Sequence, residues 1–177
     1  MFYGRVVARR LAHRQDQIIA ISENTSRDIS LFFGVPREQV TVVYNGIEHE
    51  RFFPGSREQG IAAVGHLFGL HRPFFLYVAR LEHPAKNHVR LISAFEAFKT
   101  ATGFDWQLVF GGSDWHGAET IHARIKKSRF PLDIRSLQFV PNDALPDLYQ
   151  AAAVFVYPSL YEGFGCRRWK RWPAVAR

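Results

Sequence analysis

The chain has 177 residues, 47% of them hydrophobic and 15% aromatic, which supports a packed domain and excludes a disordered one. A single cysteine, Cys166, excludes an internal disulfide framework and fits a reducing, cytoplasmic setting, free or at the periphery of a membrane; no apolar run reaches the length of a membrane span. The net charge of +7 is local: without Arg167, Arg168, Lys170, Arg171 and Arg177 the chain carries 18 basic against 16 acidic residues, so no cationic field covers the domain and no nucleic-acid partner is expected.

Residues 2–14 read as an amphipathic helix with Phe2, Val6, Val7 and Leu11 on one side, alternating basic and apolar residues rather than forming a secretory leader. Gln17 to Ser22 is a short apolar strand. Ser22 and Asn24 offer capping side chains to a helix that ends at Gly34-Val35-Pro36. Val40 to Tyr44 is a β-branched strand closed by the turn Asn45-Gly46. From Glu48 to Arg72 the periodicity fades, and Pro54, Gly55, Ser56, Gly60 and Gly65 read as a linker or long loop.

Regular alternation then begins. Strands are expected at Phe74 to Ala79, Trp106 to Phe110, Leu137 to Val140 and Val154 to Tyr157. Helices are expected at about 86–99, with Val89, Leu91, Ile92, Phe95 and Phe98 inward, at 118–127 and at 143–151. This order predicts an α/β fold: a Rossmann-like parallel sheet with helices on both faces. Ligands of such sheets bind beyond the carboxyl ends of the strands, which singles out the loops Arg80 to Asn87, Gly111 to His116 and Pro158 to Gly165.

Those loops hold the candidate chemistry. Arg80 directly follows a strand, and Lys86 stands at the next helix start. A guanidinium that grips two oxygens and a compact ammonium together suit a diphosphate; the alternative is a pair of solvated loop cations. Glu162 lies between a strand and the glycines of Glu162-Gly163-Phe164-Gly165, where a carboxylate can accept hydrogen bonds from sugar hydroxyls. The N–H groups of a helix opening at Gly163 to Gly165 can hold phosphate; the alternative is a capping acid beside a tight turn. Gly111-Gly112 reads as a plain turn, since no dinucleotide or P-loop fingerprint is present. The eight histidines lack paired spacing with Cys or acids, so no metal and no cofactor is expected.

Together these pieces resemble the family 4 (group 1) retaining glycosyltransferases of GT-B fold. Four segments carry the resemblance: Ile18–Asp28, Val42–Pro54, Phe75–Phe95 and Leu145–Gly165. It implies that residues 1–45 end an acceptor-side domain, 46–72 connect the domains, 73–165 begin a donor-side Rossmann-like domain, and 166–177 form an aberrant basic tail. It further implies that Arg80 and Lys86, with Gly163, Phe164 and Gly165, bind the diphosphate of a nucleotide sugar. Glu162 becomes the catalytic-site carboxylate in contact with the donor sugar, and the backbone near Val140 holds the base. The implied reaction moves a hexosyl group to a glycan or lipid-linked acceptor with retention and without a metal.

The pattern then departs. The family carries a second Glu eight residues after the first, where this chain has Lys170. Read one nucleotide earlier, the Trp169–Lys170 junction spells GAA, a Glu codon, and the Trp172–Pro173 junction spells GCC, an Ala codon. A frameshift after Gly165 is therefore expected, with a truncated and catalytically incompetent chain that is marginally stable or self-associates through an uncovered sheet edge. Two other classes stay in view: a non-catalytic nucleotide-sugar-binding or subunit-like module, and a nucleic-acid binder acting through the Trp/Arg tail.

Overall fold

A computed structural model describes residues 3–160. The motif Glu162-Gly163-Phe164-Gly165 and the basic tail lie outside the described residues. The chain divides into two compact units, one running to Ile47 and the other starting at Glu48.

In the first unit, helical residues Tyr3–Ala8 continue into α1 (Arg9–Ala12), and β1 (Ile18–Ala20) pairs in parallel with β2 (Val40–Val42). Between the strands, α2 (Glu23–Asp28) continues as a wider helical turn over Ile29–Phe33. Local chemistry sets its ends. The Ser22 hydroxyl accepts from the Thr25 N–H at 3.1 Å, and Gly34 leaves the helix at φ 73°, where a glycine carries no penalty. The Phe33 carbonyl at that end accepts from Arg9 Nε (3.1 Å) and His13 Nε2 (2.8 Å). Ala20, Val35 and Val40 form a small core. Leu11, expected on the apolar side of the first helix, is 47% exposed and lines an open apolar groove with Ile18, Ile29 and Phe33.

The second unit opens with α3 (Arg57–Phe68), inside the stretch whose periodicity fades. The expectation of a linker or long loop there is corrected by twelve helical residues. Two signals mark this helix. Ser56 caps it, accepting from the Gln59 N–H at 3.3 Å, and Gly69 ends it at φ 64°. Gly60 and Gly65, which read as loop residues, serve packing instead. A Cβ on Gly60 would lie 3.0 Å from the Gln150 Cβ and 3.1 Å from the Asp147 carbonyl oxygen, so its absence lets α3 press on α6 (Leu145–Ala151).

The remaining elements are β3 (Phe74–Val78), α4 (His88–Thr102), β4 (Gln107–Gly111), α5 (Ala118–Lys126), β5 (Ile134–Ser136) and β6 (Val154–Phe155). The four strands are parallel in the order β5-β4-β3-β6. Helices flank the sheet, an α/β fold. Phe75 and Tyr77 of β3 and Leu108 and Phe110 of β4 alternate onto the face covered by Ile92 and Phe95 of α4 and Ile121 of α5. Leu76 and Val109 on the opposite face are fully buried, as are Val64 of α3 and Leu148 of α6.

Half-buried charges tie the helices to the sheet. Arg124 of α5 grips Glu96 of α4 with two parallel bonds, at 3.0 and 2.5 Å, and the Arg129 N–H adds a third at 3.0 Å. These donors hold the Glu96 carboxyl down at a pKa of about 2. Asp133, just before β5, receives Lys99 of α4 and Arg72 from the turn before β3. The strand expected at Leu137 to Val140 lies earlier in the chain, at Ile134–Ser136. Arg135 in its middle masks the apolar pattern, and its guanidinium donates to the Phe68 carbonyl at the end of α3 (3.1 Å).

Replacing Gly60 by valine should push α3 off α6 and lower unfolding stability by about 2 kcal/mol. Gly46→Ala, where an added Cβ meets nothing within 4 Å, should change stability by less than about 0.5 kcal/mol, and thermal melts of both variants check the contrast.

Candidate functional site

The strand order creates a crevice. The chain passes from β3 outward to β4 and β5, then returns to lay β6 on the other side of β3. The loops that leave β3 and β6 therefore flank the topological switch point, where open α/β sheets take their ligands.

Three loops meet at this rim. The loop after β3 zips onto the loop after β4: the Leu81 N–H donates to Ser113 (3.0 Å), the Trp115 N–H to Leu81 (3.1 Å) and the His83 N–H to His116 (3.0 Å). Gly112 permits the closeness. At φ 151° its backbone lies against Ala79, and a Cβ would collide with the Ala79 carbonyl. Gly111-Gly112 is thus a point of close backbone approach between two rim loops, where the sequence reads as a plain turn. The loop after β6 joins from the other side. The Leu160 N–H donates to the Ala85 carbonyl (3.1 Å) and Asn87 Nδ2 to the Pro158 carbonyl (3.0 Å).

Arg80 stands at the mouth of this assembly. Its guanidinium lies over the Trp115 ring, 4.6 Å from the centroid, and Nη2 reaches Glu82 at 3.3 Å. Its side chain is half exposed, so stacking orients a partly solvated cation. Lys86 sits six residues on in the same loop, half-buried, its N–H bonded to the Glu82 carbonyl at 3.2 Å. Val140 is buried at the same rim. The chain leaves the sheet after Ser136, Gln138 adopts φ 56° and its carbonyl accepts from the Gly112 N–H at 2.8 Å, so Val140 lies in a rim loop instead of a strand. A Cβ on Gly111 would sit 3.3 Å from Val140 Cγ2. Arg80, Lys86 and Val140 are brought to one rim; Glu162, Gly163, Phe164 and Gly165 lie outside the described residues.

Among the described residues, no group of three or more His, Cys, Asp or Glu side chains is arranged to hold a metal ion, and no helix is long and apolar enough to cross a membrane. An open apolar groove in the first unit is lined by Ala8, Leu11, Ala12, Gln15, Ile18, Ile29 and Phe33 and carries no titratable group.

Residues 64–167 match the family described as "Glycosyl transferases group 1", more than half of the chain. The chain belongs to the group 1 glycosyl transferases. Residues 2–51 match "Glycosyltransferase Family 4". O-antigen chain mannosyltransferase B of Escherichia coli is 26% identical over 148 residues, covering 84% of this chain and 38% of that protein. A D-inositol 3-phosphate glycosyltransferase of Corynebacterium diphtheriae is 25% identical over 167 residues, covering 91% of this chain and 39% of its own length. The chain thus spans under two fifths of the length of these relatives. In structure it resembles Anabaena HepE in complex with UDP and glucose (TM-score 0.73, 20% identity, 89% of this chain and 42% of that one). It also resembles sucrose-phosphate synthase from Thermosynechococcus elongatus (TM-score 0.75, 21% identity, 93% and 40%). These neighbours are GT-B glycosyltransferases, and the likeness is one of fold.

Sequence reasoning missed what lies beneath the rim of this group 1 member. His88, the first residue of α4, is fully buried, its ring 4.8 Å from that of Tyr77 and 5.0 Å from that of Phe110. The backbone at Glu82 lies close enough to favour a protonated ring, but neither ring nitrogen makes a hydrogen bond of ordinary geometry. Burial dominates, aided by Lys86 and His83, and pushes the imidazole down to a pKa of about 4. A histidine following Lys86-Asn87 carries no sequence signal of burial; only the apolar period of α4 hints at it.

The pH consequence has a definite sign. The folded state resists a proton that the unfolded chain takes up near the ordinary value of 6.5, so stability falls as pH drops from about 6.5 to about 4. His88→Phe should flatten that part of the pH profile of thermal unfolding. An unchanged slope in the variant would assign it to another group.

Proposed function

We propose that the rim at the switch point holds the diphosphate of a nucleotide sugar and serves hexosyl transfer with retention to a glycan or lipid-linked acceptor. One observation carries the reading: in a group 1 family member, three loops are bonded into a single rim with Arg80 stacked at its mouth and Lys86 in the same loop. Arg80 and Lys86 supply the positive charge, and the backbone of Gly163 to Gly165 adds N–H groups for phosphate. Glu162 contacts the donor sugar as the catalytic-site carboxylate. The backbone near Val140 receives the base. HepE has been seen with UDP-glucose, which supports UDP-glucose as a probe.

The donor domain comprises residues 73–165, reached from the acceptor-side residues 1–45 by the connection at 46–72. α3 within that connection packs on α6, so part of it supports the donor unit. The chain is cytoplasmic in this reading.

The 177-residue chain transfers no sugar alone. Transfer requires donor and acceptor to be positioned against each other, and the match covers under two fifths of the relatives' length. Lys170 also places a cation where the resemblance calls for a ribose-binding Glu, as a frameshift after Gly165 would produce. Exposed apolar residues such as Phe139 (71%) and Leu132 (87%) favour self-association of such a chain.

In calorimetric titrations with UDP-glucose and GDP-mannose, at least one nucleotide sugar should bind saturably, and Arg80→Ala should weaken it roughly tenfold or more. Equal binding by the variant would remove Arg80 from the site. In assays with labelled donors, the purified chain should yield no glycosylated product; detectable transfer would refute the inactivity. Nucleotide sequence beyond codon 165 that restores no Glu in any frame would end the frameshift account.

A further inference from the structure

The two halves of the proposed site come from loops on opposite sides of the switch point. One carries Arg80 and Lys86; the other begins at Pro158 and leads, in sequence, into Glu162. A cation pair and a carboxylate that act on one substrate need a fixed separation, and separate loops do not supply one by themselves.

Besides the Asn87 amide, a buried side chain spans the gap from below. Tyr77, in β3, is fully buried, yet its hydroxyl reaches the rim, 3.0 Å from the Lys86 carbonyl and 2.8 Å from Ser159 Oγ. The chemistry orders these bonds. A carbonyl only accepts, so the phenol must donate to Lys86; having one proton, it must accept from the Ser159 hydroxyl. The result is a directed relay, Ser159 O–H to Tyr77 O–H to the Lys86 carbonyl, across the crevice. It sits between the two other bonds that join these loops, Leu160 N–H to Ala85 and Asn87 Nδ2 to Pro158. The phenol is itself immobilised: His88 and Phe110 lie against its ring at 4.8 and 6.5 Å, and Tyr157 meets it edge-on at 6.3 Å.

We propose that Tyr77 and Ser159 are positioning residues that set the separation between the cationic loop and the loop leading to Glu162, and so tune donor binding without touching the donor. The proposal rests on the donor-site reading above. Tyr77→Phe keeps the ring and the packing while removing both bonds. Ser159→Ala removes one, and Ser159→Thr keeps the hydroxyl.

The test combines amide exchange by NMR with calorimetric titration of UDP-glucose into the intact chain. In Tyr77→Phe and Ser159→Ala, the amides of Asn87 and Leu160 should exchange several-fold faster while those of Leu108 to Phe110 in β4 stay as in the native chain. UDP-glucose affinity should fall roughly five- to tenfold in each. The double variant should be no weaker than Tyr77→Phe, because both act on one relay. Ser159→Thr should bind as the native chain does. Native-like affinity in Tyr77→Phe overturns the proposal, as does faster exchange spread equally through β4, which would mark a general packing role. Failure of the donor-site reading looks different: the native chain and Arg80→Ala then take up no UDP-glucose alike, and the positioning role falls with it.

Discussion

The register of β3 against β4 governs everything at the rim. Phe74 opposes Gln107 and Val78 opposes Gly111, without slip, over five residues. Because side chains alternate with a period of two, a shift by one would put Tyr77 and Phe110 on opposite faces of the sheet, so that only one of them could pack under α4. The same register decides where each strand stops. It brings the chain out of β3 beside the chain out of β4, so that Leu81 and Ser113 meet backbone to backbone. Arg80 and Trp115 emerge close enough to stack as a consequence of that pairing.

A parallel sheet buried on both faces has little polar chemistry of its own, and its ligand chemistry must come from the strand ends. This fold prepares those ends in two layers. The upper layer is backbone: loop amides and carbonyls paired across the rim, with Gly112 allowing the contact. The lower layer is aromatic, with Tyr77, His88 and Phe110 packed beneath the loop that carries Lys86. A neutral imidazole fits there because the surrounding rings solvate a charge poorly. The lower layer holds the upper one in place.

Glycine played two roles that look alike in sequence. Gly34 and Gly69 end helices at positive φ, and the punctuation Gly34-Val35-Pro36 announces the first of them. Gly60 and Gly65 lie inside α3, where their small size lets another segment approach, the Asp147 carbonyl in one case and the His71 ring in the other. Read as loop signals, Gly60 and Gly65 conceal a twelve-residue helix. The Ser56 cap with Gln59 three residues on is the local signal of α3. For β5 no such signal existed. Its middle residue is an arginine whose guanidinium is used by the end of α3, a contact formed only between segments some sixty residues apart.

The alternation of strands and helices, the fold class, the family and the loops at the strand ends were all legible in the amino-acid order. They follow from local periodicity and from residues a few positions apart. The position of Arg80 after a strand and of Lys86 before a helix was legible for the same reason. Which loops touch, how Trp115 orients Arg80, why Val140 lies in a rim loop, and that one buried phenol joins both sides of the crevice were decided by tertiary structure alone. Those features depend on strand order, register and burial, which arise only when distant segments pack together and exclude water between them.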